Sequence, residues 1–183
     1  MVDQPSALPR AIQTKRLRLE AWEPGDAPAL RSALDACDAH LRPWIPFMRA
    51  EPRSLEQTRA RLMTHDAEFR AGIHHRYAIW DRERAALLGE ALLIGRPEPD
   101  TREVGYWLHE AHTGRGYATE AASAMVELAR GVPGITRVIF RCDPRNTASD
   151  RLPPRLGATL AETITIQEPA GPLKLHVWAL ALG

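Results

Sequence analysis

A short turn with two glycines in the middle of the chain offers the clearest site for chemistry. It runs from Thr113 to Ala118, with Gly114 and Gly116 on either side of Arg115, between a strand-like segment and a long helical one. The first amides of a helix have no partner within the helix, and glycines let a phosphate approach them closely. The turn therefore indicates either a diphosphate site or a tight connection in which the glycines only satisfy geometry.

Spacing excludes two common nucleotide sites at this turn. The chain contains no GxxxxGK[ST] pattern, so a P-loop is not supported. The third glycine of the dinucleotide fingerprint is also missing, as is the acidic residue expected about 20 positions later. These exclusions leave coenzyme A as the leading diphosphate ligand.

Hydrophobic periodicity predicts the elements that position the turn. Residues 14–22 alternate apolar and polar side chains like a half-buried strand, and Ser54 with Gln57 three positions later forms a capping box at a helix start. The remaining patterns predict, in chain order, a helix over 28–41, strands over 76–80, 86–95 and 101–110, a helix over 118–131, a strand over 135–142, a short helix within 148–156, and a hairpin of 159–167 with 173–182.

This element order predicts an α/β fold of the α+β kind. Hairpins join most neighbouring strands and only the long helix makes a parallel crossover, so we expect a mixed, largely antiparallel central sheet of about seven strands flanked by four helices. We expect a single domain over residues 1–183, with residues 1–12 as a flexible N-terminal segment.

Composition excludes several classes of protein. The 24 Lys and Arg against 23 Asp and Glu give a net charge of +1, so no overall field favours nucleic acid or an anionic membrane. The two cysteines, Cys37 and Cys142, are too far apart and too few for a disulfide framework or a thiolate zinc site, and we expect no metal. Without a signal peptide or a membrane-length apolar run, we expect a soluble, cytoplasmic protein.

The chain resembles the GNAT acetyltransferase superfamily, particularly the branch of ribosomal-protein alanine N-acetyltransferases. TKRLRLEAW resembles the first strand of that branch, LRPWIPFM its acceptor-side loop, EVGYWLHEAHTGRGYATEA its acetyl-CoA loop, and DPRNTASDRLPPRLGA the segment after its fifth strand. The superfamily pattern [QR]xxGxG/A falls on Thr113 to Ala118, with Thr113 in place of Gln or Arg.

The resemblance implies that the donor is acetyl-CoA and that a primary amine attacks it directly in a ternary complex. It also implies a bulge in the fourth strand, which Gly105 would ease and which separates this strand from the fifth. In the resulting opening, backbone groups would contact pantetheine and an N–H would stabilise the oxyanion. The positions that would bind acetyl-CoA are Trp107, Leu108, His109, Thr113, Gly114, Arg115, Gly116, Tyr117, Ala118, Asn146 and Ser149.

Proton transfer requires further groups. Glu103, on the same strand face as Trp107, is the first candidate for the base, and Glu168 is the second. Many members of the superfamily have a tyrosine that acts as the general acid, but this chain has Pro153 at that position. Ser149 therefore becomes the candidate that bonds or protonates the departing thiolate. Asn146 and Ser149 are also suited to capping a short helix.

The acceptor is left open by the sequence. Trp44 and Phe47 lie on the acceptor-side loop and would wall the pocket, although burial in the core is the alternative. A protein N-terminus is one acceptor, and an antibiotic, a polyamine or an amino acid is another. A third possibility is a regulatory module that binds acyl-CoA without catalysis, and either a monomer or a homodimer is compatible with the sequence.

Overall fold

The structure is a computed structural model that describes residues 8–169 and 171–183. Its strands are β1 (Ala11–Gln13), β2 (Leu17–Ala21), β3 (His74–Asp81), β4 (Leu87–Gly95), β5 (Thr101–Leu108), β6 (Arg137–Cys142), β7 (Thr159–Glu168) and β8 (Gly171–Ala181). Its helices are α1 (Ala27–Ala36), α2 (Asp38–Leu41), α3 (Leu55–Arg70), α4 (Tyr117–Arg130), α5 (Thr147–Asp150) and α6 (Leu152–Arg155), with 3-10 turns at Pro24–Asp26, Pro46–Ala50 and Glu110–His112.

The strands form one sheet in the order β1-β2-β3-β4-β5-β6-β8-β7. Neighbouring strands pair antiparallel except β5 and β6, which are parallel and are joined by the crossover through α4. The predicted mixed, largely antiparallel fold is therefore confirmed. The sheet has eight strands instead of about seven.

The additional strand is β1, which falls at the end of the segment predicted to be flexible. Ile12 pairs with Leu19 across the β1–β2 ladder and packs against the core, and Leu8 is buried. The predicted flexible segment is thus too long at its C-terminal side, because backbone pairing and apolar burial order these residues. Residues 1–7 lie outside the described part of the chain, so for them the expectation stays a prediction.

Helices cover both faces of the sheet. The long helix α4 buries the apolar stripe that the sequence predicts, and it packs on one face. Helices α1 and α3 cover the other face, around Trp22 and Trp107. Helix α3 begins with the predicted capping box, in which Ser54 Oγ accepts from the Gln57 amide at 3.1 Å and the Gln57 side chain accepts from the Ser54 amide at 2.9 Å.

Two predicted helices are divided in the structure. The segment predicted as one helix over 28–41 is interrupted at Cys37, which leaves helical geometry between α1 and α2. The short helix predicted within 148–156 becomes α5 and α6. Pro153 and Pro154 lie in the first turn of α6, where a residue without an N–H loses no helical hydrogen bond.

Strands β5 and β6 pair at only three positions, of which the last joins Glu103 to Ile139. Both strands continue beyond it, β5 to Leu108 and β6 to Cys142, so the predicted opening between them is present. The predicted bulge is wrong. Strand β5 stays in continuous register with β4 over residues 102–108, so the opening arises where β6 diverges from an unbroken β4–β5 ladder.

Candidate active site

The glycine turn leads directly into α4. Gly116 is the N-cap residue with φ +79°, Gly114 has φ +73°, and both lie in the left-handed region that favours glycine. No side chain caps this helix start among the described residues, so its first amides keep their hydrogen-bonding capacity. This geometry fits an anionic group, as the turn from Thr113 to Ala118 predicts.

The side chains of the turn and of the first helical residue differ in exposure and in hydrogen bonding. Thr113 Oγ1 donates to the Glu110 carbonyl at 2.9 Å, so this hydroxyl is engaged within the loop. The Arg115 side chain is exposed and projects into solvent beside the helix start. Tyr117 is half-buried, with the Arg16 guanidinium carbon 4.7 Å from the centre of its ring.

Three of the predicted cofactor-binding residues, Trp107 to His109, lie at the end of β5. The Trp107 side chain is buried, and the Leu108 side chain packs in the core on the opposite face, so neither side chain faces the opening. The Trp107 carbonyl lies against Gly89 of β4. The His109 N–H donates to the Leu88 carbonyl at 2.7 Å and therefore points to β4 instead of the opening.

A hydroxyl and thiol cluster lies where β5 and β6 are separated. Tyr106 Oη lies 3.2 Å from both the Ser149 carbonyl oxygen and Ser149 Oγ, and Ser149 Oγ donates to Cys142 Sγ at 3.6 Å. Asn146 Oδ1 accepts from the Ser149 amide at 3.2 Å and so caps α5. The structure thus brings the predicted Asn146 and Ser149 together and adds Tyr106 and Cys142, which the sequence did not indicate.

Burial keeps both of the added groups protonated near neutral pH. Burial raises the pKa of Cys142 to about 11. Burial likewise raises the pKa of the Tyr106 phenol above its usual range. The cluster is therefore a source of O–H and S–H donors, and it holds no competing thiolate.

His176 is not an isolated histidine. Its Nδ1 lies 2.9 Å from Asp150 Oδ1, and the same oxygen accepts from Trp178 Nε1 at 2.8 Å. Because Asp150 directly follows Ser149, these bonds attach the C-terminus of α5 to β8. They fix the place of Ser149 at the opening.

Glu103 lies at the narrow end of the opening. Its Oε2 accepts from Arg141 Nε at 3.0 Å and forms an ion pair with Arg96 Nη1 at 3.3 Å, while the side chain is 10% exposed. Both contacts use the same oxygen. Oε1 is the atom available to a further donor.

The two predicted acceptor-side aromatic residues differ in exposure. Trp44 is 37% exposed, whereas Phe47 is half-buried and packs under the Arg61 guanidinium, with 4.0 Å between the guanidinium carbon and the ring centre. Arg49 in the same loop forms an ion pair with Glu168 at the end of β7. The second candidate base is therefore engaged with the acceptor-side loop.

Two absences concern the described residues only. Within residues 8–169 and 171–183, no group of three or more His, Cys, Asp or Glu side chains is placed to hold a metal ion. Over the same ranges, no helix is long and apolar enough to cross a membrane.

Comparison with known families identifies the family to which the chain belongs. A family model described as "Acetyltransferase (GNAT) domain" matches residues 16–159, which is most of the chain. The chain belongs to the GNAT acetyltransferase family. The resemblance inferred from the sequence is thereby confirmed, and members of this family use acetyl-CoA as the acetyl donor.

The individual proteins that the chain resembles have low sequence identity to it. The ribosomal-protein-serine acetyltransferase of Escherichia coli (strain K12) is 26% identical over 119 residues, which is 64% of this chain and 63% of that protein, less than two thirds of its length. Among solved structures, the ribosomal L7/L12 alpha-N-protein acetyltransferase RimL in complex with coenzyme A is 22% identical, with a TM-score of 0.82 over 95% of this chain and 97% of that one.

Other solved structures share the fold at lower identity. The ribosomal-protein-S5-alanine acetyltransferase from Vibrio fischeri has a TM-score of 0.80 at 16% identity, covering 93% of this chain and 96% of that one. The microcin C7 self-immunity acetyltransferase MccE, in complex with acetyl-CoA and AMP, has a TM-score of 0.86 at 16% identity, covering 96% and 98%. At these identities the comparison concerns the fold alone.

Proposed function

We propose that this single-domain chain transfers the acetyl group of acetyl-CoA to the α-amine at a protein N-terminus. The observation that carries the proposal is the uncapped start of α4, next to an opening between β5 and β6. A diphosphate on the amides after Gly116 would place the rest of the donor along this opening. The family supports the donor, and the ribosomal-protein acetyltransferases among the relatives support a protein acceptor.

The acceptor amine needs a proton acceptor because an α-amine titrates near pH ~8 and is largely protonated at neutral pH. Glu103 supports this role through its position, with Oε1 free of its two arginine partners. It would take the proton directly or through one water. Glu168 supports the role less well, because it lies at the end of the edge strand β7, whereas Glu103 lies on a strand that borders the opening.

The departing thiolate needs a proton donor. Ser149 Oγ is held at the opening by Tyr106 Oη on one side and Cys142 Sγ on the other, and Asp150 fixes its helix. As the amine nitrogen bonds to the thioester carbon, the carbon–sulfur bond breaks and the sulfur leaves as a thiolate to which Ser149 Oγ would donate a hydrogen bond. The thiolate would take up a proton from solvent through this hydroxyl, which regains its own proton, so the serine ends unchanged. A backbone N–H of β5 facing the opening would stabilise the oxyanion.

The cofactor placement is tested by Gly116→Glu, with Gly134→Glu as a matched control. Both glycines have positive φ, +79° and +81°, so the backbone strain is comparable, while Gly134 lies in the turn between α4 and β6. A carboxylate at 116 would repel and obstruct the diphosphate, so calorimetry should detect no CoA binding. Gly134→Glu should bind CoA like the unmodified protein. Unchanged affinity in Gly116→Glu would contradict the placement.

The acceptor is tested by release of free thiol from acetyl-CoA with a panel of amines. Short peptides with free N-termini should be turned over and gain one acetyl group by mass spectrometry, whereas the same peptides already Nα-acetylated should not. An antibiotic, a polyamine and a free amino acid form the competing group. Turnover only with these small molecules would replace the protein acceptor, and tight CoA binding with no turnover would indicate a non-catalytic module.

A further inference from the structure

The sequence did not single out Arg16, yet this side chain touches the glycine turn from across the fold. Arg16 precedes β2, and its Nη1 donates to the Arg115 carbonyl at 2.7 Å. A Cβ built on Gly116 would lie 3.3 Å from Arg16 Nη2, and the guanidinium also covers the Tyr117 ring. Resting on the proposed function, we propose that Arg16 is the positioning residue that orients the diphosphate-binding turn.

Arg16 is itself held in place by Glu120 in the first turn of α4. Glu120 Oε2 accepts from Arg16 Nε at 2.6 Å, and Oε1 accepts from the Arg16 amide at 2.7 Å and from Thr14 Oγ1 at 2.6 Å. Burial acts to raise the pKa of Glu120, but these hydrogen bonds outweigh it and lower the pKa, so the carboxylate stays ionised at neutral pH. The guanidinium is therefore fixed both along its stem and at its tip.

The bond to the Arg115 carbonyl determines where the next amide points. In a trans peptide the N–H and the C=O lie on opposite sides of the plane. Because Arg16 holds the Arg115 carbonyl towards itself, the Gly116 N–H is turned away from Arg16, to the side on which an anion can approach. The guanidinium thus selects one orientation of this peptide.

Such selection matters because the turn contains two glycines. Gly114 and Gly116 both have positive φ, and glycine populates many other backbone states at little cost. If the turn is already fixed before binding, less conformational entropy is lost when the ligand binds, and the affinity is higher. Arg16 differs from Arg115, whose side chain is exposed.

The test uses Arg16→Ala, with Arg82→Ala as the control. Arg82 Nη1 donates to the Lys15 carbonyl, next to Arg16 in the chain, but its contact is with the exposed side of this segment. Loss of the charge-assisted bond to the turn should weaken CoA binding in calorimetry by roughly tenfold to a hundredfold. Arg82→Ala should bind within twofold of the unmodified protein. Equal affinity in Arg16→Ala and the unmodified protein would overturn the proposal.

A truncated donor separates positioning from a general structural defect. Acetyl-pantetheine lacks the diphosphate, so the rate constant for its turnover should be the same in Arg16→Ala and the unmodified protein, while the KM for acetyl-CoA rises. Equal losses with both donors would mean that Arg16 only stabilises the fold, which would overturn the proposal. Failure of the unmodified protein to bind CoA at all would instead refute the proposed function.

Arg16→Lys distinguishes orientation from charge. Lysine keeps the positive charge but cannot bond Glu120 and the Arg115 carbonyl through one planar group. CoA binding by Arg16→Lys should therefore stay closer to that of Arg16→Ala. Full restoration of affinity by lysine would show that charge alone is sufficient, and the positioning role would be wrong.

Discussion

Glu90 is a buried carboxylate that joins two tryptophans on the face covered by α1 and α3. Its Oε1 accepts from Trp22 Nε1 and its Oε2 from Trp107 Nε1, both at 2.9 Å, and the residue is 2% exposed. Because both oxygens are engaged, the two indole N–H groups are satisfied in the core. Glu90, on β4, therefore connects Trp22, directly after β2, to Trp107 of β5 through side chains.

Glu90→Gln should destabilise the protein by about 1–3 kcal/mol, because the NH2 end of the glutamine amide donates and cannot accept, which leaves one of the two buried indole N–H groups without a partner. Urea unfolding measures the change in the free energy of unfolding. Glu83→Gln is the control, since Glu83 is exposed in the turn between β3 and β4 and should change stability little. An equal effect of the two substitutions would contradict the role given to Glu90.

Sequence reasoning at this scale succeeded where the chemistry is local and missed what depends on distant partners. The turn at Gly114 and Gly116 could be found because its glycines and the following helix are adjacent in the chain. Arg16 could not be assigned to it, since about a hundred residues separate it from its contacts in the turn. Glu90 was not singled out from the sequence, because its two indole partners are brought to it only by the packing of distant strands.

At the scale of the elements, the short ladder between β5 and β6 is the feature closest to the proposed function. Three paired positions join the two parts of the sheet, β1–β5 and β6–β8, while the neighbouring β4–β5 ladder spans seven. Beyond Glu103, the backbone of β5 has no strand on its β6 side. Groups on this side are free to bond a ligand.

Hydrogen exchange should detect this asymmetry. Peptides covering residues 104–109 should exchange faster without CoA and become protected when CoA is added, because the ligand would occupy the unpaired side of β5. Peptides covering residues 89–94, within the continuous β3–β4–β5 ladders, should change little and serve as the internal control. Equal changes in both segments, or no change in the first, would argue against binding in the opening.

The elements differ in how well the sequence predicts them. Helix α4 and the capping box of α3 were predicted because a strong apolar period and a specific pair of side chains mark them locally. Strand β1 has three residues, too few for a period to be recognised, and only pairing with β2 orders it. The opening between β5 and β6 was implied by the resemblance. The bulge in β5 that was expected to cause it was wrong, because the register of a strand cannot be read from that strand alone.

At the scale of the whole molecule, two histidines are buried during folding. Burial lowers the pKa of His65 and of His75, each from 6.5 to about 4. His65 lies on α3, and His75 on β3 packs edge-on against Phe69, with ring centres 4.8 Å apart. Both are neutral in the folded protein at physiological pH, and unfolding lets them take up protons once the pH falls below about 6.5.

Stability should therefore fall in mildly acidic solution. Between pH 6.5 and about 4 the unfolded chain binds more protons at these histidines than the folded one, so the free energy of unfolding rises with pH. The contribution is complete above pH 6.5 and is lost as the pH falls towards 4, by on the order of a few kcal/mol. Urea unfolding at several pH values measures the slope.

His75→Phe provides the comparison for this slope. The substitution keeps a ring against Phe69 and removes one of the two titrating groups, so the pH dependence between 6.5 and 5 should be about half as steep. A slope identical to that of the unmodified protein would assign the acid sensitivity to other groups. A free energy of unfolding that is independent of pH would contradict burial of both imidazoles.

The divergence of β5 and β6 also has a consequence for handling the protein. Two strand edges that face each other without pairing carry N–H and C=O groups able to recruit an extended segment of another molecule. Without its donor, the protein should self-associate more readily in concentrated solution, at this interior gap as well as at the outer edges β1 and β7. Saturating coenzyme A would fill the gap and should extend the storage life of the purified enzyme.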